Sequence, residues 1–171
     1  MSLMRPLRDP VHTAVWSGSK LIVWGGYDGI SDVNTGGSYD PGTDIWSATS
    51  TANAPTARES QTAVWTSSKM IVWGGYTIGI GGLDTGGQYD LETDSWVTTS
   101  TNNVPSPRYY HSAIWTGTEM IVWAGYAFPP GNIGLNTGGR YNPSADSWRL
   151  TTTANVPDAR YDHTAIWSAA K

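Results

Sequence analysis

The sequence predicts an all-β protein made of tandem four-stranded antiparallel sheets, and three observations carry that prediction. A strand-turn-strand unit at His12–Gly26 (HTAVWSGSKLIVWGG) returns at Gln61–Gly75 (QTAVWTSSKMIVWGG) and His111–Gly125 (HSAIWTGTEMIVWAG), and its first third returns at His163–Trp167 (HTAIW). All ten tryptophans and six of the nine tyrosines keep register with that unit. Spacing within the unit is constant except in a single connection. Val, Ile, Thr and Trp flanking Gly and Ser is strand chemistry, and almost nothing falls at helical spacing.

Each repeat reads as four strands, A to D. Strand A closes on Trp16, Trp65, Trp115 and Trp167; strand B closes on Trp24, Trp73 and Trp123. Between A and B lie turn-forming tetrapeptides, Ser17–Lys20, Thr66–Lys69 and Thr116–Glu119. Strands C and D surround Tyr39 and Trp46, Tyr89 and Trp96, and Tyr141 and Trp148, with turn-rich stretches such as DPGTD between them. From the start of A to the second residue of the glycine pair is 14 residues in every copy. From the Thr of TGG to the D-strand Trp is 11, and from that Trp to the next A strand is 15. Only the B–C connection varies, at 9, 10 and 12 residues, which sets the periods at 49, 50 and 52. A fixed frame with one variable loop is the signature of a repeated sheet with a functional edge.

The repeats divide the chain into an entry segment 1–11, units 12–60, 61–110 and 111–162, and the first strand of an incomplete fourth unit, 163–171. A period near 50, a glycine pair after strand B, Tyr in C and Trp in D together resemble the kelch repeat. The pattern is most similar to Trp-rich bacterial kelch arrays carrying "WGG" and "NTGG…YDP…W" motifs. The departures are Ala124, in place of the first glycine, and Gln61, in place of His. The resemblance implies a kelch-type β-propeller segment in which each unit is one blade. Physically, a small sheet bearing Trp and Tyr cannot bury both faces alone, so neighbours must stack. With three complete units and an extra innermost strand, the expectation is a segment of a longer ring or a ring completed by self-association. Two chains would supply six blades, making a homo-oligomer, specifically a dimer, the expected assembly.

In an A-B-C-D meander the B–C and D–A connections emerge on one face. That face is the expected ligand-binding surface, carrying Arg58, Arg108 and Arg160, Tyr109, Tyr110 and Tyr161, and the B–C residues Tyr27, Tyr76, Tyr126 and Phe128. Arg and Tyr at such a mouth are common ingredients of recognition. Each has a structural alternative. A recurring Arg also clamps neighbouring carbonyls or carboxylates, and Arg8 holds a similar place before the first unit. His12, His111 and His163 share a position with Gln61, which hydrogen-bonds like neutral His but cannot do its acid–base work. Asp40 with Asp44, and Asp90 with Asp94, flank the C–D turn as Asx turns or, alternatively, a calcium site. Glu59 and Glu119 are singular among the copies, and neither has a partner beside it in sequence.

Composition narrows the function classes. A net charge of −4 with no basic run argues against nucleic acid, and no apolar segment approaches the roughly 20 residues of a membrane helix. The N-terminus lacks the apolar core of a signal peptide. Absence of Cys removes disulfides, thiolate metal sites and a Cys nucleophile. No cofactor or metal is expected. The sequence therefore predicts a non-catalytic module for protein or glycan binding, or for structural assembly. The alternative is a fragment of a kelch-type enzyme, sugar-acid isomerase-like or carbohydrate-active. The copper-radical oxidases of that group need a Cys–Tyr crosslink, which this chain cannot form.

Overall fold

The computed structural model describes residues 12–128, 131 and 133–168. Residues 1–11, with Arg8, lie outside the described part. Among the described residues there is no helix, and three four-stranded sheets follow one another along the chain. Sheet 1 holds β1 (Thr13–Trp16), β2 (Leu21–Trp24), β3 (Gly36–Asp40) and β4 (Ile45–Ala48). Sheet 2 holds β5 (Thr62–Trp65), β6 (Lys69–Trp73), β9 (Gly86–Asp90) and β10 (Ser95–Thr98). Sheet 3 holds β11 (Ser112–Trp115), β12 (Met120–Trp123), β15 (Gly138–Asn142) and β16 (Ser147–Leu150). The variable B–C connections add two-residue ladders: β7 (Tyr76–Thr77) with β8 (Gly81–Gly82), and β13 (Tyr126–Ala127) with β14 (Ile133–Gly134).

The register repeats with the sequence. Leu21, Met70 and Met120 stand opposite Tyr39, Tyr89 and Tyr141, and Trp24, Trp73 and Trp123 stand opposite Gly36, Gly86 and Gly138. The A–B tetrapeptides close with Ser17 N–H donating to Lys20 O (2.9 Å), Thr66 N–H to Lys69 O (2.9 Å) and Thr116 N–H to Glu119 O (3.0 Å). Strands β1, β5 and β11 touch in sequence, which places the A strands along one shared edge of the stack.

Two cores lie between the sheets. Val15, Ile22 and Trp24 of sheet 1 pack on Met70, Val72, Tyr89 and Trp96 of sheet 2. The opposite face of sheet 2, with Val64, Ile71 and Trp73, packs on Met120, Val122, Tyr141 and Trp148 of sheet 3. Trp24 and Trp96 lie 5.2 Å apart between ring centroids, and Trp73 and Trp148 lie 5.1 Å apart, both pairs tilted. Trp24, Trp73, Trp96 and Trp148 of strands B and D build the two inter-sheet cores, Trp65 and Trp115 of strand A pack against them, and Trp16 and Trp46 of sheet 1 are 53 % and 55 % exposed.

The joint between sheets is also polar. Asp94 Oδ1 accepts from Ser50 N–H (2.7 Å) and from its own repeat's Tyr89 hydroxyl (2.7 Å), and Asp146 Oδ1 accepts from Ser100 N–H (2.8 Å) and the Tyr141 hydroxyl (2.6 Å). The D–A connection inserts a proline against the second TGG glycine of the next sheet. A Cβ on Gly87 would meet Pro55 Cγ at 2.8 Å and one on Gly139 would meet Pro105 Cγ at 2.3 Å, so only glycine lets the two chains approach this closely.

One expected element differs. His163–Trp167 repeats an A strand in sequence but forms no ladder, and Ile166 is 91 % exposed. A strand needs a hydrogen-bonding neighbour, and the three matching B strands are each already paired with their own A strand.

Candidate recognition face

The B–C hairpins and the D–A segments meet on one side of the sheets. Glu59 and Tyr76 exchange both backbone hydrogen bonds (2.9 and 2.7 Å), as do Tyr109 and Tyr126 (3.1 and 2.8 Å). Arg108 N–H donates to Leu83 O (3.0 Å), and Arg108 O accepts from Gly75 N–H (2.9 Å). The first two D–A segments are thereby tied both to the B–C connection before them and to the one after, and the third to the one before, through Arg160 N–H to Leu135 O (3.1 Å).

This pairing assembles a tyrosine ladder. Tyr76 lies 5.2 Å from Tyr109, Tyr109 lies 5.0 Å from Tyr110 and 5.5 Å from Tyr126, and Tyr126 lies 5.0 Å from Tyr161. Most contacts are edge-to-face, the arrangement that pairs a ring's positive rim with its neighbour's negative face. Tyr109 is buried at the ladder's centre and Tyr161 is 53 % exposed at its end. Tyr27 and Phe128, at 38 % and 42 % exposed, lie on the B–C connections outside the ladder. Tyr110 holds φ at 54°, as Ser60 and Asp162 do (both 56°) at the same repeat position. Serine and aspartate tolerate the left-handed region more readily than a ring does.

Two residues expected on this face are corrected to structural roles. Arg58 and Arg108 are each only 1 % exposed. Arg58 Nη1 donates to Gly74 O (2.9 Å) and Thr85 O (2.7 Å), Nη2 to Thr56 Oγ1 and Thr85 Oγ1, and Nε to Thr56 O. Arg108 repeats the set on Ala124 O, Thr137 O, Thr137 Oγ1, Ser106 Oγ and Ser106 O. Every donor is used: three on the next sheet's glycine turn and TGG threonine, and two on the residue two places before the arginine, leaving nothing for a ligand. Burial lowers both guanidinium pKa values to about 10, which still leaves them charged at neutral pH. Arg160 differs. It is exposed, donates from Nε to Asp158 O (3.0 Å), and rests 5.9 Å above the Trp123 ring.

The other polar candidates are absorbed by the frame. His111 is buried, with Nε2 2.8 Å from Thr62 Oγ1 and its ring edge-on to Trp73. Desolvation, then the nearby Arg108 and His163, lowers its pKa to about 3, so it is neutral. Gln61 takes the matching place, donating to Trp24 O at 3.0 Å. Asp40, Asp90 and Asn142 cap the C–D turns through their Oδ1 atoms, and Asn142 does so without a charge. No group of three potential metal ligands occurs among the described residues. No described helix is long and apolar enough to cross a membrane.

Glu119 has partners that local sequence did not reveal. It is nearly buried and pairs with Arg140 and, at 3.1 Å, with Arg149. Although burial opposes ionisation, the hydrogen bond and charge of Arg140, with Arg149 beside it, hold the carboxyl below its usual range. Repeats one and two place Lys20 with Asp40 and Lys69 with Asp90 here, at 3.8 and 3.6 Å. The exchange of Lys for Glu together with Asp for Asn142 was the readable signal.

A family model, the KLHDC2/KLHL20/DRC7 Kelch-repeats domain, matches residues 11–171. The chain belongs to the kelch-repeat family. A comparison with curated proteins finds no match. Kelch-repeat domains are protein-interaction or structural modules and are in general non-catalytic.

Proposed function

We propose that this kelch-repeat chain is a protein-binding module, its three sheets acting as propeller blades, whose contact surface is the tyrosine-bearing B–C and D–A face. The ladder from Tyr76 to Tyr161 carries the reading. Stacked tyrosines offer broad, amphipathic contact area at little entropic cost, because each ring is already held by its neighbours. The left-handed Tyr110 supports the same reading, since a strained residue kept where serine or aspartate would serve points to a use for its ring. The recurring charged and polar groups, by contrast, are committed to clamps and turns, which leaves aromatic contact as the chemistry on offer.

The test selects peptides from a displayed library on the wild-type protein, then measures them against Tyr161→Ala, Phe128→Ala and Tyr110→Asp. The last installs the residue that Asp162 provides in the third repeat. Thr118→Arg, in the A–B turn on the opposite side, is the control. Binders should weaken about tenfold or more with a ladder variant, the scale of an interface hot spot, and ignore the control. Binders indifferent to the face variants would overturn the assignment. A glycan array in which the same variants abolish sugar binding would replace protein with carbohydrate as the ligand.

A further inference from the structure

Among the described residues, the outer faces of sheets 1 and 3 are the two unmatched halves of the joint that recurs inside the chain. In the internal joints one half consists of Met70, Val72, Tyr89 and Trp96, or Met120, Val122, Tyr141 and Trp148, all no more than 4 % exposed. The same repeat positions in sheet 1 are Leu21, Val23, Tyr39 and Trp46, and there Trp46 is 55 % exposed. Tyr39 and Trp46 nevertheless keep the internal pairing, with centroids 5.1 Å apart against 5.0 Å for Tyr89–Trp96 and Tyr141–Trp148. The other half is Val15, Ile22 and Trp24, or Val64, Ile71 and Trp73. Its counterpart in sheet 3 is Ile114, Ile121 and Trp123, only partly buried.

The polar and shape elements match as well. A groove on the outer face of sheet 1 is lined by Val23, Gly25, Thr35, Gly37 and Trp46. Gly37 stands where Gly87 and Gly139 receive Pro55 and Pro105, and Gly25 and Thr35 stand where Gly74 and Thr85 receive Arg58. The plug for that groove is beside sheet 3: Pro157 and Arg160 keep the spacing of Pro55 and Arg58. The Arg160 backbone is already placed, accepting from Gly125 N–H (2.9 Å) and donating to Leu135 O (3.1 Å), as the Arg58 backbone accepts from Gly26 N–H (2.7 Å) and donates to Val33 O (3.3 Å). Asp44 Oδ1, which accepts the Tyr39 hydroxyl at 2.7 Å, stands where Asp94 and Asp146 also take a backbone N–H from the preceding sheet. Thr152 occupies the donor position of Ser50 and Ser100.

We propose that a second copy of this chain docks head to tail, the sheet 3 face of one copy covering the sheet 1 face of the other. Arg160 then clamps Gly25 O and Thr35, Pro157 packs on Gly37, and Thr152 N–H reaches Asp44. Two such joints close a symmetric dimer; one joint alone leaves the next pair of faces open. The slot beside β2 is held by Thr13–Trp16 (TAVW), and Thr164–Trp167 (TAIW) differs from it by one methylene. Either strand fits the ladder in the same register, so exchange between them costs little. This docking uses the sheet faces and the clamp residues at their edge, not the tyrosine rings, and stands whether or not those rings bind a protein.

Two variants test the pairing. Trp46→Asp spoils the sheet 1 face, and Ile121→Asp combined with Arg160→Ala spoils the sheet 3 face. Light scattering of the wild type should give twice the 18.4 kDa chain mass. Each variant alone should remain a folded monomer, because neither carries both halves of a joint. Mixed, they should form a one-to-one dimer through the one intact joint, a result that also shows both are folded. A wild type that stays monomeric on concentration overturns the proposal. So does a dimer that survives either variant, or a mixture that fails to associate.

Discussion

His111→Gln should remove a specific acid sensitivity. The imidazole is buried, faces Arg108 rather than a carboxylate, and has its pKa lowered from 6.5 to about 3. Because the folded pKa lies below the unfolded one, the unfolded chain takes the proton first as pH falls. Stability is therefore fully present above pH 6.5 and is lost progressively between 6.5 and 3. At about 1.4 kcal/mol per pH unit, moving from pH 7 to 4.5 should cost the wild type about 2–3 kcal/mol through this residue alone. Glutamine, which occupies the same repeat position at Gln61, makes an uncharged hydrogen bond and has no proton to gain. Urea denaturation of both proteins at the two pH values isolates the effect, since carboxylates common to both cancel in the difference. The expected result is near-equal stability at pH 7 and a relative gain of about 2–3 kcal/mol for His111→Gln at pH 4.5. Parallel losses in the two proteins would refute a buried neutral imidazole.

Arg58→Ala and Arg108→Ala should each cost about 3–5 kcal/mol in urea denaturation, because each strands buried carbonyls of the next sheet. Arg160→Ala, measured on monomeric protein, should change stability by less than about 0.5 kcal/mol. Ala124 holds φ at 58°, where repeats one and two use Gly25 and Gly74, so Ala124→Gly should gain about 0.5–1 kcal/mol. The reverse change, Gly74→Ala, should lose about 2 kcal/mol or more in the same assay, since its Cβ would meet His111 Cε1 at 2.6 Å. Glu119→Lys should cost about 1–2 kcal/mol at low salt by facing Arg140 and Arg149 with a third cation. Adding Arg140→Gln and Asn142→Asp, which copies Gln88 and Asp90 of repeat two, should restore most of that loss.

Much of the fold was legible because repetition exposes it. A Trp or Tyr returning at one place in every copy, between constant spacings, marks a position that meets the same neighbour each time. The strands, the Asx turns and the even substitution of Gln61 for His followed from that alone. What the local pattern left open was where each recurring polar side chain points. Arg58, Arg108 and Arg160 are one position in the sequence, yet two are buried clamps and one lies on the surface. The difference arises because the acceptors sit 16 and 27 residues further on for Arg58, and 16 and 29 further on for Arg108, in the next sheet. The same distance hid Glu119's arginines, 21 and 30 residues away across the ladder. Strand period and turn chemistry act between near neighbours and so can be read along the chain. Burial of a charge depends on which sheet lies over it, and only the stacked structure decides that.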